Sequence, residues 1–335
     1  MKVDTIKSHQ ERVLRILVEI ESNLSGELSL ETLARQGNFS PYHFHRVFSA
    51  LVGEPVKEYV RRLRLERAAQ ELAFNSKPII QIAFDAGFET HESFTRAFRA
   101  ALGSAPSEYR RSHTRPVASS PAMKTSAAPD YDPRTSRVLF SQTEPRQARV
   151  ERLPRLRVAF IRHIGPYDEV PLVFNRLSDW VRERQAEQTD LMLIGLPHDN
   201  PYLTPPDKLR FDCCVMIEPA IKPAGETGVR EIGGDLYATT THYGSFDRLV
   251  ETYGWLGGQF IPSAGLTLRQ SSAIEIYLNN PETTPHNQLL TDILLPVESL
   301  SASKRARSSD HRPPTDSTRT GARSHLPLTC TVVLD

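Results

Sequence analysis

One unit written twice constrains this chain more than any other feature. Phe44-His45-Arg46-Val47-Phe48, with Gly53, Pro55 and Tyr59 downstream, returns fifty residues later as Phe94-Thr95-Arg96-Ala97-Phe98, with Gly103, Pro106 and Tyr109 downstream. Upstream, Ala34 and Phe39 match Ala83 and Phe88 at an offset of forty-nine, which puts a one-residue insertion at the turn. Repetition on this scale means one supersecondary unit used twice. Each copy reads as a short helix, a turn and a second helix with an apolar stripe, and two such units suggest a duplex read at two places.

In the first copy Leu30, Leu33 and Ala34 form the inner face of the leading helix, and Gly37-Asn38-Phe39 makes the turn. Ser40 is placed as an N-cap with Pro41 at the first helical position. Phe44, Val47, Phe48 and Leu51 recur at helical spacing and are expected inside, leaving Tyr42, His45, Arg46 and Ser49 outward. The second copy follows the same logic. Ile79, Ile82 and Ala83 are inner, Ala86-Gly87-Phe88 turns and Thr90 caps. Phe94, Phe98, Ala101 and Leu102 point inward, and Glu92, Thr95, Arg96 and Arg99 point outward. A recognition helix meets base edges through such side chains, most often arginine to guanine. Between the copies, Val56 to Asn75 reads as one helix carrying Arg61, Arg62, Arg64 and Arg67. At about 1.5 Å per residue it runs roughly 30 Å, close to one turn of duplex, and its arginines are expected to neutralise phosphates. An exposed arginine on a helical hairpin is ordinarily just a solvated charge. Two copies in register with a suitable spacer favour the DNA-binding reading.

Residues about 10 to 112 resemble the DNA-binding domain of the AraC/XylS family of bacterial transcription regulators. The resemblance is carried by Ile82-Ala83, Gly87-Phe88, Ser93-Phe94-Thr95-Arg96-Ala97-Phe98, Gly103, Pro106 and Tyr109-Arg110. It implies base contacts from Tyr42, His45 and Arg46 and from His91, Glu92, Thr95 and Arg96, with RNA polymerase as a further partner. Glu92 departs from the amide side chains common at its position: it either accepts from cytosine or repels phosphate, and the operator stays open.

The chain has 335 residues, enough for two domains. Its formal net charge of +1 discriminates little, because the cations cluster on the connecting and recognition helices. No apolar run spans a bilayer and the start lacks a signal-peptide core. The three cysteines, two adjacent at Cys213-Cys214, give neither a disulfide framework nor metal-ligand spacing. Buried thiols on a strand, a cytoplasmic location with nucleoid association on DNA, no membrane, no metal and no cofactor are the expectations. The expected division is 8–112 for the DNA-binding domain, 113–146 for a Pro/Ser/Thr/Arg-rich linker, 147–298 for a second domain and 299–335 for a disordered tail.

The second domain repeats too, more faintly. Arg162-His163-Ile164-Gly165-Pro166-Tyr167-Asp168 parallels Thr241-His242-Tyr243-Gly244-Ser245-Phe246-Asp247, offset by seventy-nine. Each copy runs strand, glycine turn, amphipathic helix and two strands. The fold class is therefore multidomain: an all-α double helix-turn-helix domain, then an α+β domain of two βαββ repeats with pseudo-twofold symmetry. The groove between the repeats is the expected site. Its leading feature is Ala273-Ile274-Glu275-Ile276-Tyr277-Leu278, where alternation sets Glu275 and Tyr277 opposite the aliphatics. A carboxylate in so apolar a strand is costly unless it meets a cation. With aromatic walls from Tyr167, Trp180, Tyr253 and Trp255 it suits a lipophilic cation. The plain alternative is a glutamate on an exposed face.

This region resembles the GyrI-like small-molecule-binding domain, a multidrug-sensing module. The carriers are Arg162-His163-Ile164-Gly165-Pro166-Tyr167, Thr204-Pro205-Pro206-Asp207-Lys208-Leu209-Arg210-Phe211-Asp212 and Glu275-Ile276-Tyr277-Leu278-Asn279-Asn280-Pro281. The resemblance implies that Glu275 contacts cationic or amphipathic ligands. Phe260 stands where that family often has tryptophan. The whole chain thus reads as a non-enzymatic, ligand-responsive transcription factor. Two rival readings are a hydrolase using Glu275 with Tyr277 or Tyr253, and a module that sequesters a protein partner.

Overall fold

The computed structural model describes residues 3–74, 77–113, 129–132, 147–184, 191–201, 203–269 and 271–299. Helices come first: α1 (Val3–Ser22), α2 (Leu30–Gln36), α3 (Pro41–Val52), α4 (Val56–Phe74), α5 (Ile79–Asp85), α6 (His91–Leu102) and α7 (Pro106–His113). The pairs α2–α3 and α5–α6 are the repeated unit, and the repetition extends to atomic detail. Asn38 and Gly87 occupy equivalent turn positions with φ of 53° and 75°. This left-handed conformation is one that asparagine and glycine tolerate. It lets the amides of Phe39 and Phe88 reach back to the carbonyls of buried Ala34 and Ala83 at 2.9 and 3.0 Å. Gly37 has an ordinary φ of −82°, and its side chain is absent because Ile16 of α1 fills the space a Cβ would need.

Ser40 and Thr90 cap the second helices, accepting from the amides of His43 (3.4 Å) and Ser93 (3.1 Å), with Pro41 in the first turn of α3. Inside each unit the aromatic rings form matching ladders. Phe44, Phe48 and Tyr59 step at 5.5 Å each, and Phe94, Phe98 and Tyr109 at 5.5 and 5.4 Å. Two inward expectations fail. Leu51 is 39% exposed and Ala101 is exposed, each lying in the last turn of its helix, next to the final residue.

The sheet region follows: β1 (Arg149–Arg152), β2 (Leu156–Ile164), α8 (Val170–Arg182), β3 (Leu193–Pro197), β4 (Arg210–Met216), β5 (Thr227–Ile232), β6 (Leu236–Tyr243), α9 (Leu249–Trp255), α10 (Ile261–Ser263), β7 (Leu266–Leu268), β8 (Ile274–Tyr277) and β9 (Leu290–Ser299). The two βαββ units are β2-α8-β3-β4 and β6-α9-β8-β9. Strand order is β1-β6-β9-β8-β3-β4-β2-β5, with β7 on β9, so the repeats meet at β3 and β8. The additional strands β1 and β5 cross over: β1 pairs β6, and β5 pairs β2. Each therefore closes the edge of the half to which it does not belong.

One face of the sheet is covered by α8, over Ile161, Cys213 and Val215, and by the α9 region, over Ile293 and Val297. The opposite face carries Phe160, Ile194, Ile276 and Leu294, and α1 lays Leu14 and Val18 against it. The helical and sheet regions thus share one compact unit. Part of the expected linker docks on the same face: Tyr131 is buried, and its hydroxyl donates to Asp292 at 2.8 Å. The rest of that linker and the tail beyond Ser299 lie outside the described residues. Cys213 and Cys214 are buried free thiols.

Candidate nucleic-acid interface and effector cavity

The exposed faces of α3 and α6 hold the expected base-reading residues. Tyr42, His45 and Arg46 on α3 and His91, Glu92 and Arg96 on α6 are all exposed, whereas Thr95 is half-buried. The guanidinium of Arg46 lies 5.8 Å from the centre of the Tyr42 ring, a cation–π contact that pre-orients both side chains. The connecting helix behaves differently from the expectation. Arg62 is turned inward onto Glu54 at 2.6 Å and Glu66 at 3.2 Å. Arg64 donates to the carbonyls of Leu24 and Gly26, both at 2.9 Å, and Arg67 pairs with Glu71 at 3.6 Å. Of the four arginines, Arg61 alone is largely exposed. Arg62, Arg64 and Arg67 hold the fold together instead of facing phosphate, because carboxylates and the carbonyls of the turn between α1 and α2 lie within their reach.

In the sheet region, antiparallel pairing sets Gly195 of β3 opposite Glu275 of β8. A Cβ at Gly195 would overlap the Phe211 ring and come within 2.9 Å of the Tyr277 hydroxyl, so the glycine leaves room for the aromatic wall. Glu275 is 4% exposed. Tyr253 and Tyr277 each donate a hydroxyl to one of its oxygens at 2.8 Å. Burial raises its carboxyl pKa, and the two phenol hydrogen bonds oppose that rise. Among the described residues no Lys, Arg or His forms an ion pair with it. Phe174 and Phe246 stand edge-on to Tyr277 at 5.6 and 5.5 Å.

These groups line a cavity of about 1390 Å³ that also takes in Tyr167. Trp180 and Trp255, expected in its wall, lie elsewhere. Trp180 carries the Arg184 guanidinium 4.2 Å over its ring, and Trp255 tilts against Phe260 at 6.1 Å. Nearness in sequence brought them to the right helices but not to the right faces.

A second polar cluster, on the α1 side of the sheet, was not anticipated. Asp212 accepts from Arg162 at 2.6 and 2.8 Å, and His198 stands 3.0 Å away. Arg162 and Arg210 both reach Glu21 of α1, each at 2.5 Å, and Arg210 also donates to the Tyr59 hydroxyl at 3.1 Å. Arg210 is held in turn by Asp199 at 2.6 and 2.9 Å. Tyr167, in the cavity wall, donates to the Asp199 carbonyl at 3.0 Å. Burial by itself would raise the Glu21 carboxyl, but Arg162, His198 and Arg210 hold it at about 2. Burial pushes the Tyr59 hydroxyl up to about 12. Nearby, Thr204 donates to Glu66 of α4 at 2.7 Å, and Lys208 meets Glu54 at 3.3 Å. The Thr204–Asp212 stretch therefore docks the sheet region on the helices. The sequence carries a signal for it: Arg162 and Asp212 are charges inside apolar strands, as Glu275 is, and Arg210 opens the strand that holds Asp212.

Residues 33–112 match the description "Helix-turn-helix domain" and residues 146–298 match "GyrI-like small molecule binding domain". The HTH-type transcriptional activator AarP of Providencia stuartii is 42% identical over 102 residues, which cover 30% of this chain and 76% of AarP. The chain belongs to the AraC/XylS family of transcription regulators. The regulatory protein SoxS of Salmonella typhimurium is 31% identical over 103 residues, 31% of this chain and 96% of SoxS. This AraC/XylS member thus joins the family's DNA-binding domain to a GyrI-like small-molecule-binding domain. Among solved structures, the EcmrR C-terminal domain covers 47% of this chain and 100% of its own length, at 21% identity and a TM-score of 0.42. Among the described residues no helix is long and apolar enough to cross a membrane, and no cluster of His, Cys, Asp and Glu is arranged to hold a metal ion.

Proposed function

We propose that this regulator reads its operator with Tyr42, His45 and Arg46 on α3 and with His91, Glu92, Thr95 and Arg96 on α6, while its cavity takes a lipophilic cation at Glu275. The observation that carries the ligand class is the buried Glu275 carboxylate, held by two phenol hydroxyls and met by no cationic side chain among the described residues. A buried anion without a counter-charge is costly, and an incoming cation with apolar flanks relieves that cost. Tyr167, Phe174 and Phe246 supply aromatic walls, to which a quaternary ammonium is attracted. RNA polymerase as a partner, residence in the cytoplasm and association with the nucleoid on DNA complete the reading.

The test is saturation binding of a fluorescent lipophilic cation to the wild type and to Glu275→Gln. Loss of binding in the variant supports the reading, and equal binding overturns it. A catalytic reading has one observation in its favour, the raised carboxyl of Glu275 beside Tyr253 and Tyr277. In that case Glu275 would act as general acid or base, and turnover of a bound ester or amide would be lost in Glu275→Gln.

A further inference from the structure

We propose that the effector cavity is completed by the DNA-binding domain: a cationic amphiphile seated at Glu275 runs its apolar tail along α9 onto Phe74, the last residue of α4. This rests on the cation reading above and adds to it a second, apolar contact contributed by the helix that joins the two helix-turn-helix units. The cavity is the first observation. At about 1390 Å³ it exceeds the roughly 300–1,000 Å³ usual for a pocket that buries a drug-sized ligand. The corner at Glu275 leaves much of it over, and α4 lines the remainder through Leu63, Arg67, Gln70 and Phe74.

Exposed apolar side chains are the second observation. Phe74 on α4 is 42% exposed and Val250 on α9 is 38% exposed, and both line this cavity. Large apolar groups held at the rim of a concave site are what an apolar ligand would cover.

The third observation is the junction between them. A Cβ on Gly257 would lie 3.6 Å from the Phe74 ring, so the ring rests close to the backbone of the turn that continues α9. Tyr253, whose hydroxyl holds Glu275, precedes Gly257 by four residues, roughly 6 Å along a helical axis. The anionic seat and Phe74 are therefore joined along Val250, Tyr253, Gly254 and Gly257, on α9 and the π-helical turn that continues it. Ligand length becomes the variable that α4 senses: a small cation occupies the seat, and a longer one also presses on the DNA-binding domain.

The test is a series of n-alkyltrimethylammonium ions, from tetramethyl- to decyltrimethylammonium and below micelle formation, titrated against the full chain, Phe74→Ala, Phe74→Leu and Glu275→Gln. For the wild type, affinity should climb by up to roughly fourfold per methylene buried. Phe74→Ala should leave tetramethylammonium binding unchanged while weakening decyltrimethylammonium about tenfold or more, and Phe74→Leu should restore most of that loss. Long-chain affinity unchanged in Phe74→Ala would overturn the proposal. An equal loss for short and long ions would also overturn it, because Phe74 would then be shaping the seat and not meeting the tail. Undiminished binding by Glu275→Gln would remove the cation reading itself, an outcome separate from either result at Phe74.

Discussion

Glu275 shows how one side chain sets both affinity and pH dependence. Its carboxyl is raised by burial, and a permanent cation placed beside it would lower it again. Binding of such a cation should therefore release protons over the interval between the two values and weaken as pH falls through the raised one. Calorimetry in buffers of different ionisation enthalpy would show that release, and a binding heat independent of buffer would contradict it. On the DNA face, Arg96→Ala should cost about 1–3 kcal/mol of specific operator affinity if Arg96 reads a base. A mobility shift that the substitution leaves unchanged would remove Arg96 from the contact set. The sequence makes residues visible when they break a pattern: Glu275 interrupts an aliphatic strand, and so do Arg162 and Asp212. It says less about facing, which is why Trp180 and Trp255 lie outside the cavity. Their helices turn about 100° per residue, and an error of one or two positions changes the neighbour altogether.

Among the elements, α4 departs furthest from its sequence reading, and the cause is competition for its cations. Its length and apolar stripe follow from composition and period, but the destinations of Arg62, Arg64 and Arg67 depend on Glu54, Glu66, Glu71 and the turn that follows α1. Arg62→Ala should therefore act on stability, by about 3 kcal/mol, since it strands buried carboxylates. Arg61→Ala should leave stability nearly unchanged and lower the salt slope of DNA binding by about one if Arg61 meets a phosphate. Urea unfolding and salt-dependent mobility shifts separate the two. Removing the cap with Ser40→Ala should cost about 1 kcal/mol, read as a fall in the urea midpoint. Caps, turns and the inward phenylalanines are legible because they rest on local rules. The strands β1 and β5 are not, since an edge strand of four or six residues carries too little alternation to be seen.

For the molecule as a whole, the Glu21, Arg162, Arg210 and Asp212 cluster ties the regulator's two domains together, and acid should untie it. Glu21 has its carboxyl depressed to about 2 in the folded chain against an ordinary 4.5. Its contribution is thus complete above pH 4.5 and disappears as pH falls toward 2, a change of roughly 3 kcal/mol. Asp212 and Asp199, also depressed by their arginine partners, lose stabilisation in the same direction. Unfolding of the wild type between pH 5 and 2 should therefore show a stability loss that Glu21→Gln, already lacking the charge, shows less steeply; equal slopes would contradict the assignment.

The crossed strands β1 and β5 carry a different consequence, one of folding order. With β1 paired to β6 and β5 to β2, neither repeat can seal its own outer edge until the other has formed. Contacts between segments nearly ninety residues apart raise contact order and slow folding. They also make the two repeats a single cooperative body, so that cleavage between β4 and β5 should release no half that folds alone.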